Sequence, residues 1–434
     1  MSETSDSLRS APGLYARVWR WHFFAALIVI PFVLWQSVTG VLYLWHRELA
    51  ALTHPDLINV APAPSLTSYQ QQLDTVLEHQ PRERLEAIEI ADDPARSTAF
   101  LFGGDNGLPY PAFVNPHTGE YLGHIESTHW IRGLSRALHG GWPINPLGSY
   151  LLELGASWAI VMILTGLYLW WPRSTKGLAG VLYPRLRGGS RVFWRDLHAT
   201  VGVYFALIFL AFLFTALPWT TFWGANILQP IQRSLGQSAP QAFFFAGHST
   251  HVHDSTAGAG DSPDAAHRPM SLDALVAQAR AEGACSRIDI HPKGATVNAR
   301  DPHARTWDET WLQLDANSGA VITKVVWSDY PPLSRFVALG VDLHEGRFFG
   351  TANQIFNTLV AMALIWLSVT GFMGWYRRRP RRGLSAPPKR ELRYPRAVLA
   401  TATVLCIVLP LLGASVLAIA VIDRSLGHFL PRAT

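Results

Sequence analysis

The chain has 434 residues, of which 49% are hydrophobic and only 15% are charged, and this balance excludes an ordinary soluble enzyme. Its two cysteines, Cys285 in a polar stretch and Cys406 in an apolar one, exclude a disulfide framework. The net charge of +5 would indicate nucleic-acid binding only if the basic residues formed a patch. The positions of Lys and Arg along the chain are therefore needed to interpret this charge.

Five apolar runs are each long enough to cross about 30 Å of hydrocarbon as a helix. The first is too long for a signal peptide, and no small-residue cleavage site follows it, so we expect it to remain as an anchor. The sequence therefore predicts five transmembrane helices, at 21–45, 149–171, 197–222, 353–376 and 397–422.

Basic residues concentrate in three short segments, 1–20, 172–196 and 377–396, which hold 18 of the 36 Lys and Arg residues. By the positive-inside rule these segments are cytoplasmic, which places 46–148, 223–352 and the C-terminal residues 423–434 on the outer side. The basic residues are thus interpreted as marking the cytoplasmic segments and contacting anionic lipid, and not as forming a nucleic-acid site.

The two long outer segments show the same order of local patterns, and each predicts a small α+β module. A helical stretch (SLTSYQQQLDTVLEHQ or SLDALVAQARAEG) precedes runs that alternate like strands. A turn comes before the last strand, and Gly119 or Gly319 supplies the positive φ that it needs. Residues 236–268 of the second segment are rich in Gly, Ala, Ser, His and Asp and are interpreted as a flexible insertion.

Histidines recur at matching distances from threonines, which indicates an internal duplication. The predicted repeat unit is a helix, an outer module and a second helix. The Thr-Gly pairs in these runs are interpreted as helix-packing positions. The distances are 17 residues from His22 to Thr39 and from His198 to Thr215, and 26 residues from His139 to Thr165 and from His344 to Thr370.

His22 and His198 fall at the cytoplasmic ends of two outward-running helices. Four residues later, on the same helical face, Ala26 and Gly202 would let a flat macrocycle lie against the backbone. Two neutral imidazoles facing each other across a bundle are an axial pair for haem iron. The alternative is that each is an interfacial histidine with its tip in water.

His139 and His344 form a second predicted pair, each ahead of an inward-running helix on the outer side, where they would hold a second haem. The alternative is a pair of surface histidines in an amphipathic segment. His248, His251 and His253 are candidate metal ligands, and the alternative for them is a solvated His-rich loop. Glu153, early in the second helix, is interpreted as interfacial.

The sequence contains no nucleotide-binding or zinc-protease motif, so any electron donor must come from outside the chain. Together the stretches WRDLHATVG, LTGLYLWWPR, LHEGRFFG, VTGFMGWYRRR and VNPHTGEYLG resemble the PepSY-associated transmembrane family, which includes ferric-siderophore reductases of the bacterial inner membrane. The resemblance covers residues 15–380, and His22, His198, His139 and His344 match the histidine positions of the family.

The resemblance implies a mainly α membrane protein with a four-helix core, two PepSY-type modules and two b-type haems between helices. Electrons from a cytoplasmic or quinol donor would reduce a ferric chelate, such as a ferric siderophore, on the periplasmic side. Two alternatives stay open: a non-enzymatic sensor or partner-binding protein, and a permease. The permease is disfavoured because Pro31 and Pro410, the prolines well within the spans, are not related by the repeat.

Overall fold

The computed structural model describes residues 12–81, 84–172, 177–187, 189–240, 270–284, 286–290, 296–301, 304–377 and 394–429. The chain divides into two compact units. The helical unit comprises Met1–Val41, Leu138–Leu228 and Ile355–Thr434, and the sheet unit comprises Leu42–Ala137 and Gln229–Gln354.

Thirteen α-helices are found in the described part of the chain. A short 3₁₀ helix (Leu217–Trp219) and a π-helix (Gly224–Leu228) follow the seventh of them. In chain order the α-helices are α1 (Pro12–Leu44), α2 (His46–Thr53), α3 (Pro55–Ile58), α4 (Tyr69–His79), α5 (Ile131–His139), α6 (Leu147–Trp170), α7 (Gly189–Ala216), α8 (Gln229–Ser234), α9 (Leu272–Ala281), α10 (Pro332–His344), α11 (Thr351–Tyr376), α12 (Arg396–Val408) and α13 (Pro410–Phe429).

Four helical segments among the described residues are long and apolar enough to cross a membrane, and they coincide with α1, α6, α7 with the 3₁₀ turn after it, and α11. They correspond to the first four predicted spans. The fifth predicted span, 397–422, is divided into α12 and α13 at Leu409-Pro410, because proline has no amide hydrogen for the helical ladder. A fifth crossing therefore stays a prediction.

The helical unit is held by apolar contacts that join all four of these helices. Val29 and Val33 of α1 are buried against Ala159 of α6, and side chains of α7 and α11 complete the cluster. The backbone of α6 comes close to α1 at Gly155, where an added Cβ would lie 2.5 Å from the ring of Phe32. Small residues thus let the helices approach closely.

The sheet unit contains one antiparallel sheet of eight strands in the order β4-β3-β2-β1-β5-β6-β7-β8. Each half of the sheet has the predicted order of one helix followed by four strands. The strands are β1 (Leu85–Glu89), β2 (Thr98–Gly103), β3 (Pro109–Val114), β4 (Tyr121–His124), β5 (Arg287–Ile290), β6 (Thr296–Arg300), β7 (Trp311–Asp315) and β8 (Val321–Val325).

The two predicted modules share this sheet, because β1 pairs with β5 and Ile88 lies opposite Ile288. Beside this pair, Glu89 accepts hydrogen bonds from the guanidinium groups of Arg132 and Arg287 at 2.7 and 2.6 Å. All three side chains are less than one-fifth exposed. The junction therefore combines backbone pairing, apolar burial and a partly buried ion cluster.

Equivalent caps and turns recur in the two halves of the sheet unit. Ser68 caps α4 and Ser271 caps α9, each accepting a hydrogen bond from a backbone N–H three residues later. Asp273 also accepts hydrogen bonds from the first two amides of α4. Gly119 and Gly319 have φ values of 74° and 69°, which confirms the predicted turns.

Candidate functional site

His22 and His198 lie close together in the helical unit, as the sequence predicts. His22 belongs to α1 and His198 to α7, and their ring centroids are 6.4 Å apart with an angle of 80° between the ring planes. Both side chains are half-buried. The structure thus brings two imidazoles from different apolar helices to one place.

A threonine of a third helix holds the His22 ring. The Nδ1 atom of His22 lies 3.0 Å from Oγ1 of Thr165 in α6. The Thr165 hydroxyl has one proton and donates it to the Val161 carbonyl at 2.8 Å, so it accepts from His22. The Met162 carbonyl is a further partner of this ring. With the Thr165 hydroxyl donating to its own helix, Nδ1 of His22 would carry the hydrogen and Nε2 the lone pair.

The second histidine has the same arrangement on the fourth helix. The Nδ1 atom of His198 lies 3.2 Å from Oγ1 of Thr370 in α11 and 3.1 Å from the Leu367 carbonyl oxygen. A carbonyl oxygen only accepts, so Nδ1 of His198 is the donor. Its Nε2 is then the nitrogen with the lone pair, which is the form that binds a metal ion.

Glycines next to these threonines leave room for the two rings. A Cβ added at Gly166 would lie 3.3 Å from Cε1 of His22, and a Cβ added at Gly371 would lie 3.2 Å from Cε1 of His198. The Thr-Gly pairs interpreted as packing positions therefore act on the histidines directly, since the threonine binds the imidazole and the glycine lets it approach. The 26-residue spacing contained this signal, but it could not show which histidine each pair contacts.

His139, the last residue of α5, is held in the same way at the other end of α1. Its Nδ1 atom lies 3.0 Å from Oγ1 of Thr39, and an added Cβ at Gly40 would lie 3.3 Å from its Cε1 atom. The Thr39 hydroxyl donates to the Trp35 carbonyl at 2.8 Å. A third histidine thus has its Nδ1 directed at a Thr-Gly pair.

The model of the family described as PepSY-associated TM region matches residues 19–378, which is most of the chain. The chain belongs to this family. Together with the four apolar helices, the match makes it a multi-pass membrane protein. No curated protein matches the chain.

For three other predicted site residues of this PepSY-associated protein, the structure gives a position but no contact that supports the predicted role. His344 ends α10 in the sheet unit, and its pairing with His139 stays a prediction. Ala26 is half-buried, and a Cβ added at Gly202 would meet only the Leu367 side chain, at 3.8 Å. The close approach of backbone to His22 and His198 occurs at Gly166 and Gly371, so the packing role of Ala26 and Gly202 also stays a prediction.

The three candidate metal ligands His248, His251 and His253 lie outside the described residues. Within the ranges that the structure describes, no group of three or more His, Cys, Asp or Glu side chains could hold a metal ion. The paired imidazoles are therefore the metal-binding candidates for which the structure gives geometry.

Two buried carboxylates fix the chain near the helix ends in the PepSY-associated protein. Glu153, interpreted from the sequence as interfacial, is 2% exposed and accepts hydrogen bonds from the backbone N–H groups of Phe222 and Trp223. Asp196, which precedes His198 by two residues, accepts hydrogen bonds from the side chains of Arg185 and Arg195. Glu153 thus anchors the connection that follows α7, and Asp196 anchors the one that precedes it.

The sheet unit contains a separate buried charge cluster. Asp342 of α10 accepts two hydrogen bonds from Thr306 and pairs with Arg347 at 2.8 Å, while burial raises the pKa of its carboxyl. Burial also raises the pKa of Glu309 to about 7, although the guanidinium groups of Arg300 and Arg347 oppose this shift. These raised pKa values predict that the stability of the unit depends on pH.

Proposed function

We propose that this protein carries electrons across the membrane through haem held by His22 and His198 and reduces ferric chelates on the outer side. The observation that supports this most strongly is the pair of neighbouring imidazoles, each with Nδ1 within hydrogen-bonding distance of a threonine hydroxyl on another helix. His22 and His198 would hold a b-type haem through this pair of imidazoles.

The donor set fits haem better than a simple metal ion. Zinc takes about four protein or water ligands, whereas two imidazoles stand together here without a third metal-binding side chain among the described residues. The two ring centroids are 6.4 Å apart, so both imidazoles would reach a shared iron atom.

The residues present have definite roles in this function. His22 and His198 would hold the haem through Nε2, while Thr165 and Thr370 orient the rings and Gly166 and Gly371 provide space beside them. Haem bound here would supply a site that accepts and releases one electron at a time. Further along the bundle, apolar side chains of all four helices pack together.

The overall reaction balances with one electron per ferric ion. A cytoplasmic flavoprotein or ferredoxin, or a membrane quinol, loses the electron, and chelated Fe(III) gains it and becomes Fe(II). Oxygen-rich chelates such as siderophores hold the softer Fe(II) less tightly than Fe(III), so reduction favours release of the metal. His139 and His344 are proposed to hold the second haem, nearer the outer face.

A sensor or partner-binding role is the second candidate, and one observation favours it. Strand β8 is an edge of the sheet, and Val321 and Ile322 on it are 38% and 52% exposed. An exposed apolar edge strand can add a strand from another protein. In that role the protein would bind its partner without carrying electrons.

Electron transfer can be tested in proteoliposomes of the full-length protein. A reductant that cannot cross the membrane is placed on the side of the basic segments, and an impermeant ferric chelate with a dye for Fe(II) on the other side. We expect Fe(II) to form in the wild type and in the control His54→Ala, and to be abolished in His139→Ala and His344→Ala while the inner haem remains reducible. Absence of Fe(II) formation in the wild type with every chelate tried would favour the partner-binding role.

A further inference from the structure

We infer that Thr165 and Thr370 are positioning residues that set the redox potential and the strength of haem binding by fixing the proton on Nδ1 of the two ligand histidines. This inference rests on the proposed function, because it assigns to the threonines an effect on bound haem. It extends to Thr39, which contacts His139 in the same way.

The recurrence of the contact is the first argument. Three Thr-Gly pairs, in α1, α6 and α11, each place a hydroxyl 3.0 to 3.2 Å from Nδ1 of a histidine on another helix. In all three, the threonine also donates to the carbonyl four residues earlier in its own helix. Helix packing alone requires no such contact, because that carbonyl already satisfies the hydroxyl donor.

The direction of the hydrogen bond is the second argument. Because each threonine hydroxyl donates its proton to a carbonyl, its oxygen can only accept from the imidazole. Donation from Nδ1–H increases the electron density on Nε2 and makes the imidazole a stronger ligand. A stronger donor stabilises ferric iron more than ferrous iron, and the midpoint potential is therefore lower.

The four helices make this arrangement rigid. The two histidines come from α1 and α7 and their threonines from α6 and α11, and apolar side chains of all four helices share one buried cluster. Each ring is thus bound at Nδ1 by one helix and carried by another. A change at the threonine should alter the ligand without removing it.

The test uses Thr165→Val and Thr370→Val, with Thr165→Ser and Thr370→Ser as conservative variants. Valine keeps the shape and removes the hydroxyl, whereas serine keeps the hydroxyl. Thr401→Val is the matched control, because the Thr401 hydroxyl of α12 bonds only the carbonyl four residues earlier and is exposed. The readouts are the midpoint potential of the purified full-length protein and the rate of haem loss to an apoprotein acceptor.

We expect each valine variant to raise the midpoint potential and to lose haem about tenfold faster, and each serine variant and Thr401→Val to behave like the wild type. Wild-type potentials and haem retention in both valine variants would overturn the positioning role while leaving haem binding intact. A serine variant that loses haem as fast as its valine counterpart would also overturn it, because shape and not the hydroxyl would then be decisive. A wild-type protein that contains no haem would overturn the proposed function itself.

Discussion

The ring planes of His22 and His198 are inclined at 80°, with centroids 6.4 Å apart. The inclination follows from the partners of the two rings, since Thr165 holds one from α6 and Thr370 holds the other from α11. All four apolar helices therefore determine the geometry of this pair. Changes in any of these helices that disturb the contacts should appear as changes in haem binding.

Enlarging the glycine beside His198 should weaken the proposed binding of haem. A Cβ at Gly371 would lie 3.2 Å from His198, and the further methyl groups of valine would displace the ring, at a cost of about 1–3 kcal/mol. We expect Gly371→Val to bind haem about 5- to 150-fold more weakly, as measured by haem per protein after purification. Gly374→Val, one turn later on the same helix, is the control, because a Cβ there would meet nothing within 4 Å. Equal haem content in the two variants would contradict the prediction.

Glu153 should stabilise the connection between the 3₁₀ helix and the π-helix that follow α7. Leucine at this position would leave the amides of Phe222 and Trp223 buried without their acceptor, at a cost of about 2 kcal/mol, whereas glutamine keeps an acceptor oxygen. We expect thermal unfolding of the detergent-solubilised protein at a lower temperature for Glu153→Leu than for Glu153→Gln. The same midpoint for wild type and Glu153→Leu would show that other groups satisfy these amides.

The stability of the protein should fall as the pH rises from about 4.5 to about 7 through the effect of Glu309. Burial raises the pKa of Glu309 to about 7, so the folded state binds the proton more tightly than the unfolded chain. The loss over this range is about 2–3 kcal/mol. Glu309→Gln should reduce this decline in unfolding experiments at several pH values, whereas Glu120→Gln, which removes an exposed carboxylate, should not. Parallel pH profiles for wild type and Glu309→Gln would refute this assignment.

The topology can be tested with reporters fused to the full-length and truncated chain. A reporter after residue 385 should be cytoplasmic because of the surrounding basic residues, and one after Thr434 should be on the outer side. A cytoplasmic reporter at Thr434 would show that α12 and α13 do not cross the membrane together and would reduce the number of spans to four.

Local patterns in the sequence were sufficient to predict most helices, strands and turns of the sheet unit. The alternating runs predict all eight strands, the amphipathic stretches predict α4 and α9, and Gly119 and Gly319 mark turns because of the φ that each turn needs. The joining of the two modules could not be predicted in this way. It depends on the pairing of Ile88 with Ile288, and period-two patterns say nothing about which strand edges meet.

The histidine pair of the candidate site could be predicted from the sequence, but the threonine contacts could not. The apolar runs and the spacing indicate His22 and His198 as a pair, because both lie at the same end of outward-running helices. The contacts with Thr165 and Thr370 depend on which helix faces which, and helix neighbours are not encoded in spacing along one chain. Glu153 was predicted to be interfacial. Its actual role could not be predicted, because the amides that it binds lie in a connection of irregular helical structure, far along the chain.

The visible absorption spectrum of the purified full-length protein, expressed with adequate haem, tests the central claim most directly. We expect a Soret band and the sharp reduced bands of low-spin haem with two axial imidazoles in the wild type. His22→Ala and His198→Ala should each lose the inner haem or convert it to a five-coordinate form, and His79→Ala, outside the predicted spans, should leave the spectrum unchanged. A wild type without a Soret band, or unchanged low-spin spectra and haem content in both ligand variants, would contradict the account.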